Sequence, residues 1–215
     1  ADARAATGDD VEFIKANIEV KDMFGTPVSM KVGRQLFNYG KGWLVAPKFS
    51  GTKYCPFDGV KFTYKTDVLA VDAFWSKLQE NSPGEEDGDV DFYGVYGTYS
   101  GMEAINVSAY WFLLRDAREI HDVNGTIINE WLENVFNVDD YDVTNLHTIG
   151  VRLFGEYSAF DYDVEMAYQF GEADSTGVFF VPVNNVYGDD DAEFGNFAMD
   201  LEVGYTFDTT MQPRA

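Results

Sequence analysis

Apolar and polar residues alternate with a period of two along much of this chain. From Phe160 to Phe170 the even positions are Phe160, Tyr162, Val164, Met166, Tyr168 and Phe170, and the odd ones are Asp161, Asp163, Glu165, Ala167 and Gln169. From Phe197 to Phe207 the odd positions are Phe197, Met199, Leu201, Val203, Tyr205 and Phe207, set against Ala198, Asp200, Glu202, Gly204 and Thr206. Side chains on a strand point to opposite faces in turn, so each stretch predicts a strand with one wholly apolar face and one that carries charge at mid-strand. The same parity holds for Ile14, Ala16, Ile18 and Val20, for Val60, Phe62 and Tyr64, for Leu69, Val71, Ala73 and Trp75, for Ile105, Val107, Ala109, Trp111 and Leu113, and for Ile149, Val151 and Leu153. Nine strands are predicted, over roughly 10–21, 27–36, 58–66, 67–77, 90–100, 104–115, 144–156, 159–170 and 194–207.

The connections alternate as well. Short links fall at Asp22–Thr26, Lys65–Asp67, Ser100–Glu103 and Glu156–Ala159, and long ones at Asn38–Phe57, Leu78–Asp89, Asp116–Val143 and Gly171–Glu193. Short turns on one rim and long loops on the other are the pattern of an outer-membrane barrel, which shows its apolar face to lipid and its polar face to a wet lumen. Strands of about 9–11 residues suit a tilted membrane crossing, and no apolar run approaches the roughly 20 residues of a membrane-spanning helix. The expected fold is an all-β, antiparallel, transmembrane up-and-down barrel. The chain reads as a single domain over 1–215, incomplete at both ends: an odd strand count does not close an ordinary single-chain bacterial barrel, and the end Gln212-Pro213-Arg214-Ala215 lacks a terminal aromatic. Within the long loop at 116–143, Ile127, Ile128, Trp131, Leu132 and Val135 follow helical spacing and predict a short amphipathic helix over 126–136, packed on the wall or plugging the mouth.

Charge and composition narrow the function. The formal net charge is −22, which excludes a duplex nucleic-acid partner because phosphate binding needs a basic surface. Acid is concentrated between strands, at Glu85, Glu86, Asp87 and Asp89 and at Asp189, Asp190 and Asp191. These runs read as solvated loops or as contacts for a protein partner; neither has the spacing of an EF-hand, so no metal is expected. Aromatic residues make up 16% of the chain, in line with interfacial girdles. Cys55 has no cysteine to pair with, and His121 and His147 form no metal-ligand cluster. Ala1-Asp2-Ala3-Arg4 has no apolar signal-peptide core, as in a mature form or an internal start. No phosphate loop, nucleophile elbow or other catalytic arrangement is present, and the carboxylates of Asp161, Asp163 and Glu165 are what any polar-face strand produces; neither an enzyme nor a cofactor is expected.

Several stretches resemble the bacterial alginate-export family: Asp2-Ala3-Arg4, Asp10-Val11-Glu12, the run Lys31-Val32-Gly33-Arg34-Gln35-Leu36-Phe37-Asn38-Tyr39-Gly40-Lys41-Gly42, Phe57-Asp58-Gly59-Val60-Lys61-Phe62-Thr63-Tyr64-Lys65, Asp91-Phe92-Tyr93-Gly94-Val95-Tyr96, and the strand from Phe160-Asp161-Tyr162-Asp163 to Phe170-Gly171. The resemblance runs from near residue 1 to about 207. It implies an outer-membrane barrel of about 18 strands, of which nine are here, with a basic lumen that passes an anionic polysaccharide. By the same resemblance Lys31 and Arg34 would contact an anionic sugar acid.

Parity places Lys15, Lys31, Lys61 and Arg152 in the lumen as pore-lining bases. Arg34 is on the opposite parity and reaches water only through a bulge at Gly33 or a position at the rim. The same lumen face carries Glu19, Asp72, Asp161, Asp163, Glu165, Asp200 and Glu202, with the acids in the later strands. That transverse separation suits small zwitterionic or polar solutes better than a long polyanion. The expected function is therefore a passive outer-membrane channel for hydrophilic solutes, anionic sugars among them, with membrane lipid and lipopolysaccharide around it. The alternatives are a scaffold barrel that holds another protein, and a soluble ligand-binding β domain.

Overall fold

The computed structural model describes residues 13–49, 53–79, 89–117, 143–174 and 191–208. Its strands are β1 (Ala16–Val20), β2 (Val28–Gln35), β3 (Lys48–Phe49), β4 (Lys53–Tyr54), β5 (Phe57–Lys65), β6 (Leu69–Gln79), β7 (Val90–Met102), β8 (Ile105–Asp116), β9 (Thr144–Tyr157), β10 (Phe160–Asp174) and β11 (Asp191–Tyr205). Nine of them form one open antiparallel sheet in the order β1-β2-β5-β6-β7-β8-β9-β10-β11, while β3 and β4 pair only with each other. The architecture is all-β and up-and-down, the form that closes into a barrel. Among the described residues there is no α-helix, only a 3-10 turn at Met23–Gly25. The helix expected over 126–136 lies outside the described residues, as do Glu85, Glu86, Asp87, His121, Asp189 and Asp190.

The largest departures from the expected strand boundaries fall at the two edges of the sheet. The first strand begins at Ala16, not near residue 10, although Phe13, Ile14 and Lys15 are described. Ala16 pairs with Arg34, and β2 ends one residue later at Gln35, where its chain leaves the sheet; the ladder therefore does not extend before Ala16, and the Phe13 carbonyl accepts instead from the Arg34 side chain, Nη1 to O at 3.4 Å. At the other edge β10 and β11 run longer than their apolar faces, because the ladder continues past Phe170 through Glu172↔Glu193. The β3–β4 hairpin inside the 38–57 connection was not anticipated from alternation; two-residue strands are too short to carry a periodic signal.

Register aligns the faces across the whole sheet. Ile18, Val32, Val60, Trp75, Tyr93, Leu113, His147 and Phe170 are consecutive cross-strand partners on the apolar face. Much of this face is solvent-accessible, with Ile18 at 74%, Val151 at 41% and Phe170 at 37% exposure. At the long-loop end it finishes in a row of charge that keeps the same parity: Arg34, Asp58, Lys77, Asp91 and Arg115 are again consecutive partners. Within that row the Arg34 guanidinium holds Asp58 in a two-pronged bond, Nε to Oδ1 at 2.9 Å and Nη2 to Oδ2 at 2.6 Å, and Trp75 Nε1 donates to Asp91 Oδ1 at 3.0 Å.

The buried hydrophobic cluster lies on the other face. Phe37, Tyr39, Val45, Phe74, Tyr96, Tyr110 and Phe112 form its cluster, with Phe57 and Phe92 packed against them. Two glycines make this packing possible. A Cβ on Gly94 would stand 2.4 Å from the Phe74 ring, and one on Gly150 would stand 2.2 Å from the Tyr110 ring, so the aromatic side chains lie over bare backbone.

Candidate functional site

The site is built by the connection that leaves β2. Gln35 is 3% exposed, and its Nε2 reaches the Gly59 carbonyl at 3.3 Å as the chain turns onto the polar face. Phe37, 1% exposed, then stacks between Phe57 and Phe74 with ring centroids 4.6 and 4.5 Å away. Tyr39 lies on Phe74 at 5.5 Å and on Tyr96 at 4.8 Å, and Tyr96 continues the stack to Tyr110 at 5.7 Å. Buried aromatic rings in offset contact add about 0.5–1.5 kcal/mol per pair beyond the area they remove from water. The root of the segment is thus held by hydrophobic burial on β5–β8.

The tip is a turn. Gly42 N donates to the Tyr39 carbonyl at 3.0 Å and Tyr39 N to the Val45 carbonyl at 3.1 Å. Gly40 and Gly42 bracket Lys41 with φ of +60° and +82°, values that glycine adopts without steric cost. Gly40 packs close to Glu165, Arg152 and Tyr96; a Cβ there would meet all three at 3.4–3.5 Å. Lys41 then extends to β11, where its ammonium pairs with Asp200 and lies 3.5 Å from Glu202 Oε2. Tyr39 Oη meanwhile donates to Asp72 Oδ2 on β6 at 3.2 Å. β6 and β11 are five strand spacings apart, about 24 Å across a flat sheet. Two neighbouring side chains of one segment serve both because the sheet curls around it, as strand twist favours.

The wall under the segment is paired ion by ion. Asp72 accepts from Lys61 Nζ at 3.0 Å and from Thr63 Oγ1 at 2.6 Å. Arg152 Nε donates to Asp163 Oδ1 at 2.8 Å, and its guanidinium lies 4.1 Å from the Phe154 ring centre. Tyr110 Oη donates to Glu165 Oε1 at 2.9 Å; Glu165 Oε2 is buried with no hydrogen bond and lies 3.9 Å from Arg152 Nε. At the near edge Lys31 Nζ is 3.4 Å from Glu19. On the segment itself, burial and then the Asp72 carboxylate push the Tyr39 phenol far above its ordinary value, so it remains a hydrogen-bond donor. The hydrogen bond to Asp200 raises Lys41, which keeps its charge.

Two open clefts flank these pairs on the polar face. One, of about 620 Å³, is lined by Glu19, Lys21, Ser29, Lys31, Lys61, Thr63 and Lys65 among others; the other, of about 520 Å³, by Asn106, Glu156, Asp161, Tyr162, Asp163 and Glu202 among others. The described residues contain no group of three or more ligands that could hold a metal.

Of the residues singled out from sequence, Glu19, Lys31, Lys61, Asp72, Arg152, Asp163, Glu165, Asp200 and Glu202 share the polar face with the segment, and Asp161 lines the acidic cleft. Lys15 precedes β1 and is exposed. Arg34 is on the apolar parity; the register runs through Gly33 without a shift, so its position is at the rim and not on a bulge. Lys41, Tyr39 and Phe37 were not singled out as site residues. Their one local signal is a run in which Phe37, Tyr39 and Lys41 alternate through Asn38, Gly40 and Gly42 inside a supposed loop.

A family profile described as alginate export matches residues 1–215. No curated protein matches the chain.

Proposed function

Since the chain belongs to the alginate-export family, a transport family of outer-membrane β-barrels, we propose that it forms part of a passive outer-membrane channel for hydrophilic solutes, narrowed by the segment at 36–47. The observation that carries this reading is the segment itself, seated on the polar face by Phe37 and Tyr39 and tied to β6 and β11 through Asp72 and Asp200. A face with that many paired charges is suited to water-filled passage, where solutes are selected by size and by sign. The apolar face supports lipid as its neighbour. From Phe160 to Phe170 it spans ten residue steps, about 34 Å along the strand. At a tilt near 40° that is about 26 Å along the membrane normal, close to the ~25 Å apolar band of such barrels. Trp75, Tyr93, Trp111 and Phe170 stand at its long-loop end, and Tyr99, Tyr157, Phe160 and Tyr205 at the other.

Both signs of charge line the polar face, which favours small polar, zwitterionic or sugar-acid solutes over a threaded polyanion. The test is swelling of liposomes that contain the full-length protein, with neutral sugars and uronic acids of increasing size. Uptake that falls with solute size is expected. Liposomes that do not swell with any solute would refute the channel and leave the barrel that holds a protein partner.

A further inference from the structure

We propose that the apolar face carries a site for a phosphorylated glycolipid, the lipopolysaccharide of the leaflet at the long-loop end. Arg115 and His147 hold its phosphate, and the Trp111, His147 and Phe170 rings lie under its sugar and chain roots. The inference rests on the lipid-facing reading of this face given above, and not on conduction. Arg115 is the first observation. It stands on β8 opposite Asn145, in the row of charge that closes the apolar face. In the same row the Arg34 guanidinium is committed to Asp58 by two hydrogen bonds. Arg115 is held more loosely: among the described residues its Nη1 lies 3.7 Å from Asp91 Oδ2, longer than a hydrogen bond, and Asp91 already accepts from the Trp75 indole at 3.0 Å. Its planar fork of N–H donors, on a side chain 35% exposed, is the group that matches a phosphate in two places. His147 is the second observation. Its Nδ1 accepts from Trp111 Nε1 at 3.2 Å, so the neutral ring carries its hydrogen on Nε2, which no hydrogen bond of the described residues uses. The third is a continuous run of rings: His147 stacks on Trp111 at 5.9 Å and on Phe170 at 5.1 Å, and Phe170 on Tyr168 at 6.0 Å. Snorkelling alone accounts for an arginine at this height, but not for a histidine locked by an indole beside it.

Arg115 and His147 are diagonal neighbours on adjacent strands, about 7–8 Å apart at the backbone, so one phosphate is within reach of both side chains. The rings begin one step below that level and descend toward the middle of the apolar face, where acyl chains lie. The footprint covers β8, β9 and β10, about 10 Å across, which suits a headgroup that carries several chains. Glu172, opposite Asn145 on β10, bounds the site on its acidic side. Long loops of such barrels are extracellular, the side on which the leaflet is lipopolysaccharide. Arg115→Gln is expected to weaken retention of lipid A, the phosphorylated diglucosamine anchor of that lipid, about tenfold to a hundredfold, because a hydrogen-bonded charge is lost. His147→Phe keeps the stacking and removes the N–H, for a loss of about twofold to tenfold. Arg34→Gln keeps the wild-type retention, since that guanidinium is occupied by Asp58.

The experiment is native mass spectrometry of the full-length protein in detergent, titrated with lipid A, with dephosphorylated lipid A and with phosphatidylglycerol. Heat-modifiable gel mobility establishes that each variant is folded. Retention of one lipid A in preference to the other two, weakened in Arg115→Gln and His147→Phe, is the expected result. A folded wild type that retains lipid A no better than its dephosphorylated form or phosphatidylglycerol overturns the site and leaves the channel standing. An equal loss in Arg34→Gln also overturns it, because the effect would then belong to the charge of the whole rim. A full-length chain that stays soluble without detergent removes the lipid-facing reading, and this one with it.

Discussion

Phe37→Ala separates the barrel wall from the segment that fills it. Phe37 is 1% exposed and makes ring contacts at 4.5, 4.6 and 6.0 Å with Phe74, Phe57 and Tyr39. Truncating a buried Phe to Ala costs about 3–5 kcal/mol where the surroundings do not collapse into the space. Collapse is limited here because the neighbouring rings are fixed on strands. In a wet lumen the hydrophobic effect operates as it does in a soluble core, so nearly all of this cost falls on the docking of the segment. At about 1.4 kcal/mol per decade, docking weakens by roughly two to three and a half decades. The ladder bonds of β2 and β5 do not involve the Phe37 ring, so the wall is expected to stand. The variant should keep its heat-modifiable gel mobility, show a larger and noisier single-channel conductance, and become cleavable by trypsin after Lys41. A folded variant with wild-type conductance and a trypsin-resistant Lys41 would refute the argument that aromatic burial holds the segment in place.

Two further outcomes test the faces. Val151→Lys puts a charge in the middle of the apolar face, beside Ala109 and Met166; folding into lipid vesicles should lose about 2–4 kcal/mol, while an aqueous surface would show almost no change in a urea titration. Gly150→Ala places a methyl 2.2 Å from a Tyr110 ring that stacks on Tyr96 and Phe112 and is held by its bond to Glu165, so the ring has little freedom to yield; a loss of about 1–3 kcal/mol is expected in the same titration, and an unchanged midpoint would show that the aromatic cluster is loosely packed.

Strand identity and face assignment were legible in the amino-acid order because side-chain direction in a strand is a local property with a period of two. Phe160 to Phe170 reads the same way in the sequence and in the sheet, and so the residues of the polar face, from Lys31 and Lys61 to Glu165 and Asp200, were accessible to a parity argument. The matching of long and short links to opposite ends of the sheet follows from the same alternation. What parity leaves open is where a chain goes once it stops being a strand. The route of the 36–47 connection depends on nonlocal contacts: Phe37 finds rings on β5 and β6, and Lys41 finds carboxylates more than 150 residues away on β11. Those partners exist only after the sheet has curled. Arg34 shows the same division at a single position: its parity was readable, but only the unbroken register at Gly33 and the partner Asp58 put it at the rim. The sequence by itself determined a wall with two faces; the tertiary structure decided what stands in front of the polar one, because long-range burial and charge pairing, not local periodicity, direct a connection inward.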